Sequence, residues 1–147
     1  MYGQDCELCR PDSDRVIWKN ERFYVLDAGS ERFPAYIRIV SVAHVAEMTD
    51  LPKAEREELR AIMDASEELM RDLLHPDKVN WAQFGNMVPH LHWHLTARWR
   101  DDEVFPDNPW GKPVRKVPED IRKERAKASK LFLERLPDAL DRLLRAR

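Results

Sequence analysis

Three histidines alternate with apolar residues in Val88-Pro89-His90-Leu91-His92-Trp93-His94-Leu95-Thr96. In an extended strand successive side chains point to opposite faces, so this alternation sends His90, His92 and His94 to one face and Leu91, Trp93 and Leu95 to the core. At about 3.3 Å of rise per residue the imidazoles stand roughly 6.6 Å apart. Three of the five histidines fall within these five residues, a poor way to decorate an ordinary sheet surface, and the cluster points to function. Two chemistries need such a row. Neutral imidazoles on alternate residues can bind a divalent metal, and a catalytic zinc typically takes three protein ligands plus water. Alternatively, one imidazole attacks an electrophile while its neighbours orient it, transfer protons and balance charge. Asn80, Gly85 and Asn86 lie just upstream and favour the second. Amides and a glycine turn can donate hydrogen bonds to an oxyanion, where a metal site would more often supply a carboxylate.

The elements that must hold this row follow from hydrophobic period and turn residues. Val16 to Trp18, Phe23 to Leu26 and Tyr36 to Val42 read as three consecutive antiparallel strands, with Lys19 to Arg22 as the first turn. Asp27 to Pro34 is a polar loop with a glycine and a proline, of the kind that carries binding groups. From Asp50 to about Leu74 apolar residues recur at three- and four-residue intervals, which predicts an amphipathic helix that starts at Asp50 and stops at His75-Pro76. Val79 to Phe84 and Val88 to about Trp99 then form a hairpin around Gly85-Asn86. A last helix spans Glu119 to Arg147, with Pro137 expected to kink or split it. The fold class is α+β: an antiparallel sheet of about five strands, one main helix packed on a face, and the tail helix outside.

A chain of 147 residues suits one domain with one core. Residues 1–111 are read as that domain and 112–147 as a basic helical C-terminal extension of it. Twelve basic and six acidic residues from Lys112 onward give the tail +6 and leave −8 on the remainder of a chain whose net charge is −2. Such a tail usually presents a solvated helix face, so nucleic acid is not an expected partner. The N-terminus lacks the pattern of a signal peptide and no stretch reaches the apolar length of a membrane span, which predicts a cytoplasmic protein without membrane contact. Cys6 and Cys9 are the only cysteines, too few to staple a secreted domain.

The segment Gly85-Asn86-Met87-Val88-Pro89-His90-Leu91-His92-Trp93-His94-Leu95-Thr96 fits the histidine-triad (HIT) pattern, His-φ-His-φ-His-φ-φ with φ apolar, and resembles that of bacterial HIT-family hydrolases. Cys6-Glu7-Leu8-Cys9 is similar to the opening of many members, Leu26-Asp27 to the ribose-binding position, and Val42-Ala43-His44 to the fourth family histidine. The resemblance covers roughly Cys6 to Trp110. It implies a HIT-like fold, a homodimer, and hydrolysis or transfer at the α-phosphate of a purine nucleotide: a nucleoside phosphoramidate, an adenylated amine or a dinucleoside polyphosphate. His92 would attack phosphorus and become a nucleotidyl-histidine, and water would then release the nucleoside monophosphate. His90 would hold the ring of His92 through its backbone carbonyl and link toward His44, and His94 would contact the phosphate or the bridging atom. Asn80 and Asn86 would bind phosphate oxygens, and Asp27 the ribose hydroxyls. No metal is required for that step.

Departures from the family pattern bear on the substrate. Met87 stands where many members have a hydroxyl that assists the departing group, which a thioether cannot do. Ala35-Tyr36 replaces a Gly-His pair, and Leu95-Thr96-Ala97-Arg98 replaces the usual His-φ-φ-Pro-Arg ending. In some related proteins a cysteine pair is joined by two histidines around a structural zinc, here Cys6, Cys9, His44 and His90; two reduced thiols are the alternative. Trp110 follows a loop that lies near the leaving-group side in related proteins, where an indole could stack on a base, or it packs structurally. Two other functions remain open at this point: a metal-dependent hydrolase that uses the His-x-His strand as ligands, and a nucleotide-binding regulator without turnover.

Overall fold

A computed structural model describes residues 6–147 of the chain. Its strands are β1 (Val16–Lys19), β2 (Phe23–Asp27), β3 (Ile37–Ser41), β4 (Lys78–Ala82) and β5 (His92–Arg98). Helix α1 (Lys53–Leu74) separates β3 from β4, and α2 (Glu119–Arg145) ends the chain. The strands form one antiparallel sheet in the order β1-β2-β3-β5-β4, which is the α+β architecture expected from hydrophobic period. The β1–β2 turn is short, and Asn20 fixes it by accepting the backbone N–H groups of Arg22 and Phe23 at 2.8 Å each. After β3, α1 carries the chain past one strand position, and β5 fills the gap. Each edge of β5 is therefore paired, with Val40 opposite His92, Arg38 opposite His94 on one side, and Ala82 opposite His94 on the other. A one-residue slip would turn Leu95 out of the core and the histidines into it, so burial of one face fixes the register.

The sheet divides two apolar clusters. Phe23, Val25, Ile37, Ile39, Leu91 and Leu95 on one face pack with Leu59, Ile62 and Met70 of α1. Tyr24, Leu26 and Val40 on the other face pack with Cys6 and Leu8 from the N-terminal segment. The tail helix is not outside. Its Phe132, Leu136 and Leu140 are fully buried in the main core, because residues spaced by four make one apolar stripe that must be covered. Nor does Pro137 split it, since α2 is continuous through that residue. Burying each of the three large side chains contributes about 1.5–3 kcal/mol, enough to offset a proline cost of about 3 kcal/mol.

The start of α1 and the β4–β5 connection differ from the sequence reading. Asp50 belongs to a 3-10 turn, Met48–Asp50, where its carboxylate accepts the N–H of Glu47 at 3.0 Å; α1 begins after Pro52. The β4–β5 connection is also much longer than a tight turn. Pro89 offers no N–H, and the neighbouring groups find partners elsewhere: Leu91 N–H donates to Val45 O at 2.7 Å and Ser41 N–H to Leu91 O at 3.1 Å. Residues before His92 are therefore withdrawn from the β4 ladder. Among the described residues, no helix is long and apolar enough to cross a membrane.

An ion pair closes the far end of β5. Arg98 is 1% exposed and grips Asp102 with Nε–Oδ2 at 2.8 Å and Nη2–Oδ1 at 3.1 Å. Asp102 also accepts the N–H groups of Trp99, Val104 and Phe105. Burial pushes its carboxyl pKa up, but these bonds together with Arg98 win and hold it below the usual value. Removing one partner strands the other charge in a dry site. Asp102→Asn is expected to destabilise the protein by about 3–5 kcal/mol, read as a lower urea midpoint; a loss under about 1 kcal/mol would show that Arg98 finds another partner.

Candidate active site

The three imidazoles share the sheet face opposite Leu91 and Leu95, although His90 precedes the strand and only His92 and His94 belong to β5. Their partners differ. His92 Nδ1 lies 2.5 Å from the carbonyl oxygen of His90. A carbonyl can only accept, so Nδ1 of the neutral ring carries the proton and Nε2 holds the lone pair. Burial keeps the His92 pKa below the ordinary imidazole value, and Arg38 pushes in the same direction, while the His90 carbonyl and Glu7 oppose them. The centroid of the His94 ring is 4.9 Å from that of His92, at 72° to it, and His94 Nδ1 is hydrogen-bonded with the hydroxyl of Tyr36. Burial first, then the proximity of His92 and Arg38, drives the His94 pKa down to about 4. Both rings are thus neutral near pH 7.

His90 is fully buried and serves another group. Its Nε2 donates to Ser41 O at 2.6 Å, which leaves Nδ1 as an acceptor aimed at Cys6 Sγ (3.3 Å) and Cys9 Sγ (3.4 Å). Cys9 Sγ is also 3.1 Å from His44 Nδ1, and the His44 and His90 rings meet edge to face at 4.9 Å. The four ligand atoms of Cys6, Cys9, His44 and His90 all lie within 4.8 Å of one another. Tetrahedral zinc, with bonds of about 2.3 Å to sulfur and about 2.0–2.1 Å to nitrogen, needs S···N edges near 3.5 Å, so this donor set fits a metal in kind and spacing. Burial raises the Cys9 thiol pKa, with Cys6 adding to it, a trend that a bound cation would reverse.

Beside His92 and His94 opens a cleft of ≈ 390 Å³ lined by Glu7, Arg38, Phe84, Gly85, Asn86, Met87, Val88 and Trp110. The expected Gly85, Asn86, Met87 and Trp110 are thereby brought to the two histidines. Gly85 adopts φ 77°, a left-handed conformation that favours glycine and turns the loop over the cleft. Met87 is 96% exposed. Trp110 meets the His94 ring edge-on at 5.2 Å and the Phe84 ring at 5.8 Å. Asn80 lines an adjoining recess with His94 and Trp110, and its side-chain oxygen accepts from Arg98 Nη1 at 2.8 Å. Asp27 is not among the residues lining the cleft, and its Oδ1 accepts the N–H of Gly29 at 2.8 Å. His44 and His90 are with the cysteines. Arg38, Tyr36, Glu7 and Phe84 were not anticipated. For Arg38 a signal existed: a lone charge among the apolar residues of Tyr36-Ile37-Arg38-Ile39-Val40, on the face opposite Ile37 and Ile39.

Comparison with known proteins agrees with this architecture. The HIT domain model matches residues 11–101, from before β1 past the end of β5. A histidine triad protein from Marinobacter aquaeolei VT8 is 29% identical with a TM-score of 0.68, covering 85% of this chain and 89% of that one. One from Bradyrhizobium japonicum is 23% identical with a TM-score of 0.63, covering 80% and 89%. A zinc-bound histidine triad family protein from Mycobacterium smegmatis is 20% identical with a TM-score of 0.55, covering 99% of each chain. No curated protein matches the chain. The family model takes in all five strands, α1 and the three alternating histidines, and the chain belongs to the HIT domain family.

Proposed function

We propose that this protein hydrolyses or transfers nucleotides at the α-phosphate, with His92 as a covalent nucleophile. The observation that carries the proposal is the bond from His92 Nδ1–H to the His90 carbonyl, which leaves the Nε2 lone pair for an electrophile. In the first step Nε2 attacks the α-phosphorus, the bond from phosphorus to the leaving group breaks, and that group departs with the electron pair and takes a proton from solvent. In the second, water attacks the same phosphorus, the P–N bond breaks, and its electron pair returns to Nε2. The products are a nucleoside monophosphate, a released proton and the original imidazole. The hydrogen bond to a carbonyl supports the ring while it carries positive charge, and neutral His94 beside it supplies a polar contact without repelling that charge. Asn86 and the backbone around Gly85 are offered to phosphate oxygens. The substrate classes are a nucleoside phosphoramidate, an adenylated amine or a dinucleoside polyphosphate, with Asp27 proposed on the ribose side. A metal site built from the His90/His92 pair is less well supported, because His90 turns its acceptor nitrogen toward the two thiols.

Cys6, Cys9, His44 and His90 are proposed to hold one structural zinc, a reading supported by their donor set and spacing and by the zinc-bound relative. Zinc would supply a cross-link there and take no part in bond making. The residues themselves would then tie the N-terminal segment to the backbone of His90, whose carbonyl orients His92.

Incubation with adenosine phosphoramidate and mass spectrometry should find an adenylate on His92. His92→Ala should lower turnover by on the order of 10³-fold or more while nucleotide binding stays measurable; turnover near the wild-type rate would refute the nucleophile. Elemental analysis should return about one zinc per chain, falling in Cys6→Ser and Cys9→Ser. Metal-replete protein that carries none would end the zinc assignment.

A further inference from the structure

The cleft contains a cation that the proposed chemistry has not used. Arg38 lies on β3 directly opposite His94 of β5, and both side chains line the cleft with His92. Directly paired residues of neighbouring antiparallel strands have Cα atoms only about 4.5–5.5 Å apart and side chains on the same face. The guanidinium therefore rises from the sheet next to the two reactive rings. Its central carbon sits 5.9 Å from the Tyr36 ring centroid, a cation–π contact with the residue that also holds His94. Among the described residues its buried Nε has no hydrogen-bond partner. That is an unusual state for an arginine, whose fork normally engages a carboxylate when it leaves water. Arg98, with Asp102 and Asn80 on its nitrogens, shows how this same fold satisfies a buried guanidinium.

We infer that Arg38 is the phosphate-binding residue of this cleft, donating from its guanidinium to non-bridging oxygens of the α-phosphate that His92 attacks. The assignment rests on the nucleotide reading above and adds to it a specific cationic contact. A planar guanidinium suits phosphate oxygens, and Arg38, partly exposed where it lines the cleft, is placed to offer its group to an anion held between it and the imidazoles. The charge also has a transition-state use, because negative charge on the phosphoryl oxygens is retained while the nucleophile arrives. Met87 brings only a thioether to the cleft and Asn86 only an amide, so among the described residues that line it Arg38 is the one guanidinium or ammonium group. Among the described residues Glu7 is the one carboxylate lining it, and it is exposed, so a phosphate must enter past a like charge and needs an opposite one within. Arg38 meets that requirement from the floor of the sheet.

Titration calorimetry with three probes tests the inference: AMP, adenosine and inorganic phosphate, each on the full-length wild type, Arg38→Met and Arg38→Lys, with circular dichroism to establish that the variants fold. Arg38→Met should weaken AMP binding by on the order of 10- to 100-fold and leave adenosine binding unchanged, with Arg38→Lys between the two. A merely structural role would weaken AMP and adenosine alike, and that result would overturn the inference. So would AMP affinity that is the same in wild type and Arg38→Met, which leaves the nucleotide reading standing. Arg38-dependent binding of inorganic phosphate without preference for AMP would keep Arg38 as an anion site and sink the nucleotide reading instead. If no probe carrying phosphate binds the wild type, both fall.

Discussion

A hydrogen bond between the ring of His92 and the carbonyl of His90 decides which nitrogen of the central imidazole is available for chemistry, and much of the structure is arranged so that this bond can exist. The carbonyl must point along the sheet face rather than into a ladder. That requires the chain to join β5 only at His92, and Pro89, the Leu91–Val45 bond and the Ser41–Leu91 bond make it do so. His90 must also hold still. Its side chain is buried, fixed by Ser41 on one nitrogen and facing Cys6 and Cys9 with the other. One residue thus links the cysteine cluster to the reactive ring through its own backbone.

The sheet separates anchoring from reactivity. On one face Leu91 and Leu95 are locked into a core that both helices cover, and on the other the same strand presents His92 and His94 to a cleft. Because β5 is hydrogen-bonded on both edges, neither translation nor a register slip is available to it. Around the rings, burial favours the neutral imidazoles that a nucleophile needs, while Arg38 supplies charge without occupying either ring nitrogen. Trp110 and Phe84 close the opposite side with aromatic edges.

The alternation of His90, Leu91, His92, Trp93, His94 and Leu95 makes the histidine face legible in the sequence, because period two needs no knowledge of the rest of the chain. The strands, the main helix and the nearness of Gly85, Asn86 and Met87 to the histidines could be read as well, while the place of Trp110 was implied only by the family resemblance. Strand order could not, since insertion of β5 between β3 and β4 depends on where α1 returns the chain. The burial of Phe132, Leu136 and Leu140 was hidden behind a basic tail whose charge drew attention to its solvent face. Arg98 and Asp102 are buried although nothing in their types or spacing marks two charges four residues apart as interior. Arg38 is intermediate: its place among apolar neighbours was visible, but its meeting with His94 required the pairing of β3 with β5.

The tautomer of His92 is the most direct test of how this site works. Long-range proton–nitrogen correlation spectra of selectively labelled protein at neutral pH distinguish a protonated ring nitrogen from one that bears a lone pair. A protonated Nδ1 and an unprotonated Nε2 on His92 are expected. A proton resident on Nε2 would mean that the bond to the His90 carbonyl is not made in solution, and it would remove the proposed nucleophile.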